Sequence, residues 1–438
     1  MKKTFRGGIR INEHKNTASC AVRDLPPPDT VAIPLVQHIG APCRATVAVG
    51  DRVLRGQAVG AVEGGLGCPV HSSVSGRVCE IRSRETTAGT RVLEVVIEND
   101  RLMESVPSIR TSPQDTARMT PEEITEAVRE AGISGMGGAT FPTHAKIASA
   151  RGKVDTLLIN CAECEPYITA NHRLLLEDAE SVLRGTRLLL RAVGLTAGQL
   201  VVEDNKQDAI LHLTHLAATE YPELAVVTVR TKYPQGDERQ LIRAVTGREL
   251  PMGKLPADIG CVVFNAETAA AVYRAAAYGM PLIERIVTVD GDCVKQPANL
   301  RALIGTPFRD LVAACGGLVK KPARLVNGGP MMGLARWDPD GPVTKGTSAI
   351  LVLSEENLPR ISGEADCIRC GRCVAACPMR LMPNYMASYA RRAEHESAAE
   401  YGALSCVECG ACSYVCPAGI PLVQYIRIAK AALRQKKK

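Results

Sequence analysis

Residues 367–378 read CIRCGRCVAACP, and residues 406–417 read CVECGACSYVCP. Each run spaces its cysteines as C-x2-C-x2-C-x3-C and closes on a proline, the pattern of bacterial two-cluster ferredoxins. A cubane needs four soft thiolates around one small volume. Three can come from a single tight loop, and in this pattern the fourth crosses to the other cluster. The spacing therefore predicts one [4Fe–4S] cluster on Cys367, Cys370, Cys373 and Cys416, and a second on Cys406, Cys409, Cys412 and Cys377. Paired CxxC motifs also bind zinc, but four ligands per zinc leave no use for the third interleaved pair. Two clusters relay single electrons and create none, so the rest of the chain has to supply a source.

Outward from these runs, the 438-residue chain has room for three or four domains. It is 46% apolar and 23% charged, with a net charge of +7. An aromatic content of 3% argues against recognition of stacked bases, so no nucleic-acid partner is expected. Of 17 cysteines, nine lie outside the two runs and are expected to be buried free thiols. No apolar run reaches the roughly eighteen residues of a membrane span, and no signal-peptide pattern opens the sequence. The chain is therefore expected to be soluble or peripheral, on the side where it was made, with the cytoplasm as the expected compartment.

Four segments are expected. Residues 1–105 show short Val-rich runs between glycines, as in VAVGDRVLRGQAVG, and predict a small β-sandwich or barrel. VGDxVxxGQ with SGRV resembles lipoyl and biotinyl carrier domains. The carrier lysine is missing, with Leu66 at its place, so the predicted domain is an unmodified barrel-sandwich hybrid. Residues 112–290 alternate helical stretches with the strand-like runs VDTLLIN, QLVVED, LAVVTV, CVVFN and RIVTVD, predicting a parallel sheet covered by helices. Thr120 and Glu123 form a capping box ahead of the first helix, with Pro121 at its first position. Residues 291–355 form a smaller α+β segment with the loop NGGPMMG. Residues 360–438 carry the cysteine runs and end in the basic tail RQKKK. The fold class is thus multidomain α/β plus β, with a helical two-cluster ferredoxin module at the C-terminal end.

Two loops carry candidate ligand chemistry. SGMGGATFPTHAKI, from Ser134, fails as a GxGxxG dinucleotide fingerprint: Thr140 stands at the third glycine and the loop follows a helix. Its backbone N–H groups with Lys146 still suit a phosphate. INCAECEPYITANHR places Asn160, Glu163 and Glu165 at the carboxyl end of a strand, where open α/β sheets bind ligands. YPQGDERQL and FNAETAAAV add further polar groups. Cys161 and Cys164 are read as packing thiols. His212 and His215 share a helix but have no third metal ligand in sequence.

In series, GGATFPTHAK, ECEPY, YPQGDE and FNAET, followed by an SLBB-like segment and two ferredoxin runs, resemble the RnfC proteins of the Rnf electron transport complex. FRGGI and GGPMMG fit the same pattern, and the resemblance covers nearly the whole chain. The middle is also similar to the flavin-bearing, NADH-oxidising subunit of respiratory complex I, whose motifs read GRGGAGFPTGLK, NADEGEP, YxxGEE and NNVET. The resemblance implies FMN held by Gly135, Gly137, Gly138, Ala139, Lys146, Asn160, Tyr233, Gly236, Asn265 and Thr268. It implies that Phe141, Glu165 and Glu238 face NAD(H), with Glu163 near either ligand. Met136, Ala162, Asp237 and Phe264 depart from the complex I motifs, and Arg10 stands where many relatives have histidine. The implied partners are the other subunits of a membrane-bound Rnf complex, NADH, and indirectly ferredoxin. The implied function is that of a peripheral subunit of an ion-translocating NAD:ferredoxin oxidoreductase. FMN is implied because a hydride brings two electrons and each cluster takes one. Two alternatives stay open here: a flavin/iron–sulfur cobalamin reductase of the same superfamily, and a non-catalytic electron-transfer adaptor.

Overall fold

The computed structural model describes residues 3–85, 90–358 and 364–436. The first four residues of the predicted 360–438 segment and the last two of the basic tail lie outside the described residues.

Four parallel strands form the sheet that positions the site: Thr156–Asn160, Gly198–Glu203, Leu224–Val229 and Cys261–Asn265. They pair so that the third strand lies outermost, then the second, the first and the fourth. All are runs rich in β-branched and aliphatic residues, the inner ones buried on both faces, as a parallel sheet between helices requires. The order reverses between the first and fourth strands, and this is where doubly wound sheets open a ligand crevice beyond the strands' carboxyl ends. Asn160 and Asn265 close these two strands as direct register partners.

The fifth run, RIVTVD, differs from expectation. Glu284–Asp290 leaves this sheet and pairs with Ala298–Leu303 and Ala349–Leu353 in a six-stranded mixed sheet. The short turn into Ala298–Leu303 favours the antiparallel partner next in sequence over a crossover back to the first sheet. The long apolar stretch after the acidic loop also divides. It forms Ala170–Glu177 and Ala179–Val193, with Asp178 capping the second helix at Ser181. The predicted capping box is present at Thr120, ahead of Pro121–Glu130.

The N-terminal module is two small antiparallel sheets, one built around Gly76–Glu85 and Arg91–Asn99, the other around Ala58–Ala61. One apolar core runs from its Val31 and Ile33 to Leu157 and Ile159 of the parallel sheet. The first residues do not join this module. Ile9 bridges Tyr233, and Val22–Asp24 forms the edge of the six-stranded sheet. At the other end, five α-helices among the described residues carry the cysteine loops, with Met386, Ala390, Ile426 and Ala429 among their buried contacts. No helix among the described residues is long and apolar enough to cross a membrane.

Candidate functional site: a flavin crevice beside two cysteine-lined cavities

Residues 134–141 curl back on themselves, with Gly135 N–H donating to the Phe141 carbonyl (2.8 Å). Gly137, Gly138 and Ala139 lie along the rim of the loop, and Phe141 is half-buried behind them. The loop is held from below. Met136 N–H donates to Thr268 Oγ1 (3.0 Å), and Arg285 Nη2 donates to the Met136 carbonyl (3.2 Å). Arg285 is fully buried and paired with Glu267 at 2.6 Å, so the FNAET turn and the strand beyond it brace the loop together. Asn265 caps the helix Ala266–Tyr278 through the N–H groups of Glu267 and Thr268. Its amide donates to Asn171, and a side chain at Gly137 would collide with it at 2.8 Å. Lys146 reaches Glu238 (2.6 Å) and the Val263 carbonyl (2.8 Å). Asn160 donates to the Gly236 carbonyl (2.8 Å). The structure thus gathers Gly135, Gly137, Gly138, Ala139, Lys146, Asn160, Gly236, Glu238, Asn265 and Thr268 around the reversal point of the sheet.

The acidic loop is arranged differently from a pair of free carboxylates. Glu163 accepts from the N–H groups of Asn171 (2.8 Å) and His172 (3.3 Å), at the start of Ala170–Glu177. Glu165 accepts from Met331 (3.1 Å) and Met332 (2.8 Å), which ties it to the NGGPMMG loop. Any side chain at Gly329 would run into its carboxylate, which explains a glycine there. Burial pushes the Glu165 carboxyl up to about 7, against the two N–H bonds that favour its ionised form. Tyr233 is buried, and its hydroxyl donates to the backbone carbonyl of Cys409 (2.7 Å).

Two residues that sequence reasoning missed hold these loops. Lys15 donates to the carbonyls of Glu163 (2.8 Å), Glu165 (2.8 Å) and Ile168 (2.6 Å). It lies in no motif, and nothing local marks it. Arg285 could have been suspected as a charged residue within the apolar run RIVTVD.

The eight cysteines fall into two groups. Cys367, Cys370, Cys373 and Cys416 line one cavity, and Cys377, Cys406, Cys409 and Cys412 line the other. Each cavity is ringed by thiols, as a polynuclear cluster with its own volume requires. Among the described residues, no three His, Cys, Asp or Glu side chains are arranged to hold a single metal ion. Cys367 and Cys370 are exposed, whereas Cys377, Cys409 and Cys412 are buried. Burial pushes the Cys409 thiol up to about 12, and Cys377 and Cys412 in the same direction, so cluster binding must displace these protons.

The buried set abuts these loops. Besides the Tyr233–Cys409 bond, Gly8 N–H donates to the Ala376 carbonyl (2.9 Å), and Met331 packs with Cys409 and Tyr233. Gly7 has φ +76°, and a Cβ there would lie 2.5 Å from the Cys377 carbonyl, so the FRGGI stretch needs glycine for close approach. These loops keep polar groups to spare for a ligand such as a flavin mononucleotide. Ser134 Oγ and both polar atoms of the Gln235 amide are buried without a partner in the protein, at the heads of two of its loops.

Such loops beside two groups of four thiols are the arrangement of an iron–sulfur flavoprotein. Residues 128–274 match the family model of the Nuo51 FMN-binding domain, and residues 366–420 that of a 4Fe-4S dicluster domain. Residues 3–102 match the RnfC barrel sandwich hybrid domain and residues 286–335 the SLBB domain. Over 98% of its length the chain is 46% identical to the RnfC protein of the Na(+)-translocating ferredoxin:NAD(+) oxidoreductase complex of Acetobacterium woodii, covering 96% of that protein. It is 42% identical to the RnfC protein of the proton-translocating complex of Clostridium ljungdahlii, over 99% of this chain and 95% of that one. The chain belongs to the RnfC family. Among solved structures, a chain of NAD+-reducing [NiFe]-hydrogenase shares the fold, with a TM-score of 0.54 at 21% identity over 74% of this chain and 64% of that one. The relatives matched over nearly the whole chain are subunits of ferredoxin:NAD(+) oxidoreductase complexes, which argues against the cobalamin-reductase alternative.

Proposed function

We propose that this chain carries electrons between NADH and a partner subunit of a membrane-bound ferredoxin:NAD+ oxidoreductase complex, from the cytoplasmic face. The observation that carries the reading is the bond from Tyr233 to Cys409. It joins the flavin crevice to the buried cysteine set, while the other set opens to solvent. The order that follows is crevice, buried set, exposed set, partner, and the same order in reverse for electrons entering from the partner side.

FMN, when bound, exchanges a hydride with the nicotinamide and passes on single electrons. The chain's own groups bind and orient. Gly135, Gly137, Gly138 and Ala139 present backbone to the ligand, and Lys146 offers the positive charge for its phosphate. Asn160, Gly236 and Asn265 form the floor of the crevice. Thr268 fixes the glycine loop, and Glu163 fixes the acidic loop. Phe141, Glu165 and Glu238 face the nicotinamide side, Glu165 by holding the Met331–Met332 segment over it. Tyr233 sets the crevice at a fixed distance from the buried set. Each cysteine set holds one [4Fe–4S] cluster, with Cys377 and Cys416 crossing between the runs.

An anaerobic NADH titration of the cluster-reconstituted chain tests this. Bleaching of flavin absorbance near ~450 nm followed by cluster EPR signals is expected. A chain that binds no flavin would be an adaptor, and the proposal would fail.

A further inference from the structure

The two cavities have unlike walls. Around Cys377, Cys406, Cys409 and Cys412, every other lining residue is apolar. Around Cys367, Cys370, Cys373 and Cys416, the wall includes Arg369, Arg372 and Asn384, and two of the thiols are exposed. The two runs share their backbone turn, with Arg369 and Glu408 both at φ +57° and each followed two residues on by a left-handed glycine. The same turn position therefore carries a guanidinium in one run and a carboxylate in the other.

The charged groups near the buried set stand behind its apolar wall and are not part of it. Glu408 is bound by Lys430 (2.5 Å) and Arg427 (3.0 Å), and Lys430 also donates to the Cys406 carbonyl (2.7 Å). At the exposed set, Asp366 precedes Cys367 in sequence and is one carboxylate against two arginines. Glu364 is engaged by Arg391 (3.0 Å) and the Tyr425 hydroxyl (2.8 Å). At the exposed set the two guanidinium groups belong to the cavity wall itself.

Reducing a [4Fe–4S] cluster adds one electron, makes or breaks no bond, and leaves one more negative charge to be solvated. Water and guanidinium groups stabilise that charge, and an apolar wall does not. Resting on the proposed cluster assignment, we propose that Arg369 and Arg372, together with solvent, hold the exposed cluster at a higher reduction potential than the buried one. An electron shared between them then rests on the exposed cluster, beside the partner. The two arginines are positioning residues for the charge and do not touch the reacting nicotinamide.

The test is a mediated potentiometric titration of the anaerobically purified holoprotein, followed by EPR. A water-soluble gadolinium chelate broadens the exposed cluster's signal first and so assigns it. The exposed cluster should titrate at the higher potential. Arg369→Gln and Arg372→Gln should each shift the electron distribution toward the buried cluster by about tenfold, ~59 mV for one electron, with the buried cluster unmoved. An exposed cluster at the lower potential, or one indifferent to both arginines, overturns the inference. Absence of two [4Fe–4S] signals overturns the cluster assignment beneath it, and the inference with it.

Discussion

Tyr233 shows how much one hydroxyl can decide. Its ring is buried in the apolar cluster with Ile9, Ala376 and Cys409, and its oxygen meets a carbonyl that has no water to turn to. Tyr233→Phe leaves that acceptor unsatisfied, a cost of about 1–3 kcal/mol. We expect flavin bleaching by NADH to survive in this variant and cluster reduction to slow, read by freeze-quench EPR. If both steps keep their wild-type rates, Tyr233 does not set the link. His71 makes a second residue-scale prediction. It is buried, its Nδ1 has no partner, and burial with the Lys345 ammonium nearby holds its pKa down to about 3. The unfolded chain takes up a proton near pH ~6.5 that the folded chain refuses, so stability falls as pH drops below that value. The slope is about 1.4 kcal/mol per pH unit, roughly 2 kcal/mol between pH ~6.5 and ~5. Thermal midpoints of the His71→Gln variant should be flatter over that window than those of the wild type.

At the scale of elements, the glycine loop is set by its supports more than by its own composition. Arg285 and Glu267 form a buried pair, and removing one partner leaves the other charge stranded, at about 3–5 kcal/mol. Arg285→Met should therefore unfold more readily and bind FMN more weakly, measured by flavin fluorescence on equilibrium dialysis. Glu267→Gln combined with Arg285→Met should recover part of the stability but not the affinity, because the Met136 carbonyl still lacks its donor. The N-terminal stretch is the second such element. It runs between the Tyr233 loop and the Cys377 backbone, and Gly7→Ala would push a methyl group into the Cys377 carbonyl from a left-handed backbone. The expected result is faster trypsin cleavage ahead of the cysteine runs, with the parallel-sheet domain still protected.

Across the whole molecule, the crossing of Cys377 and Cys416 between the two runs makes an unusual demand. Cys377→Ser lies in the first run, yet it should remove the EPR signal of the buried cluster and leave that of the exposed one, because its thiol lines the second cavity. NADH should still bleach the flavin in that variant and fail to reduce the remaining cluster quickly. Loss of the exposed signal instead would mean that each run keeps its own four ligands.

Much of this protein is written in local pattern. The eight cysteines, their interleaved grouping, the strand runs of the parallel sheet and the Thr120 cap depend on spacing along the chain, which can be counted. The division of apolar strands between two sheets was not legible. RIVTVD has the same composition as its neighbours, and only its antiparallel partner in the next turn placed it elsewhere. The carboxylates of Glu163 and Glu165 look alike in ECEPY, but one ends on the first turn of a helix and the other on a loop 166 residues away. Lys15 was invisible as a support, and Arg285 showed only as a charge inside an apolar run, because a buried cation's role is defined by the carbonyls and carboxylates around it. Which cysteine set is buried and which is exposed was also decided by tertiary structure alone: the two runs share one spacing, and only the docking of the N-terminal stretch, Tyr233 and Met331 against the second set distinguishes them.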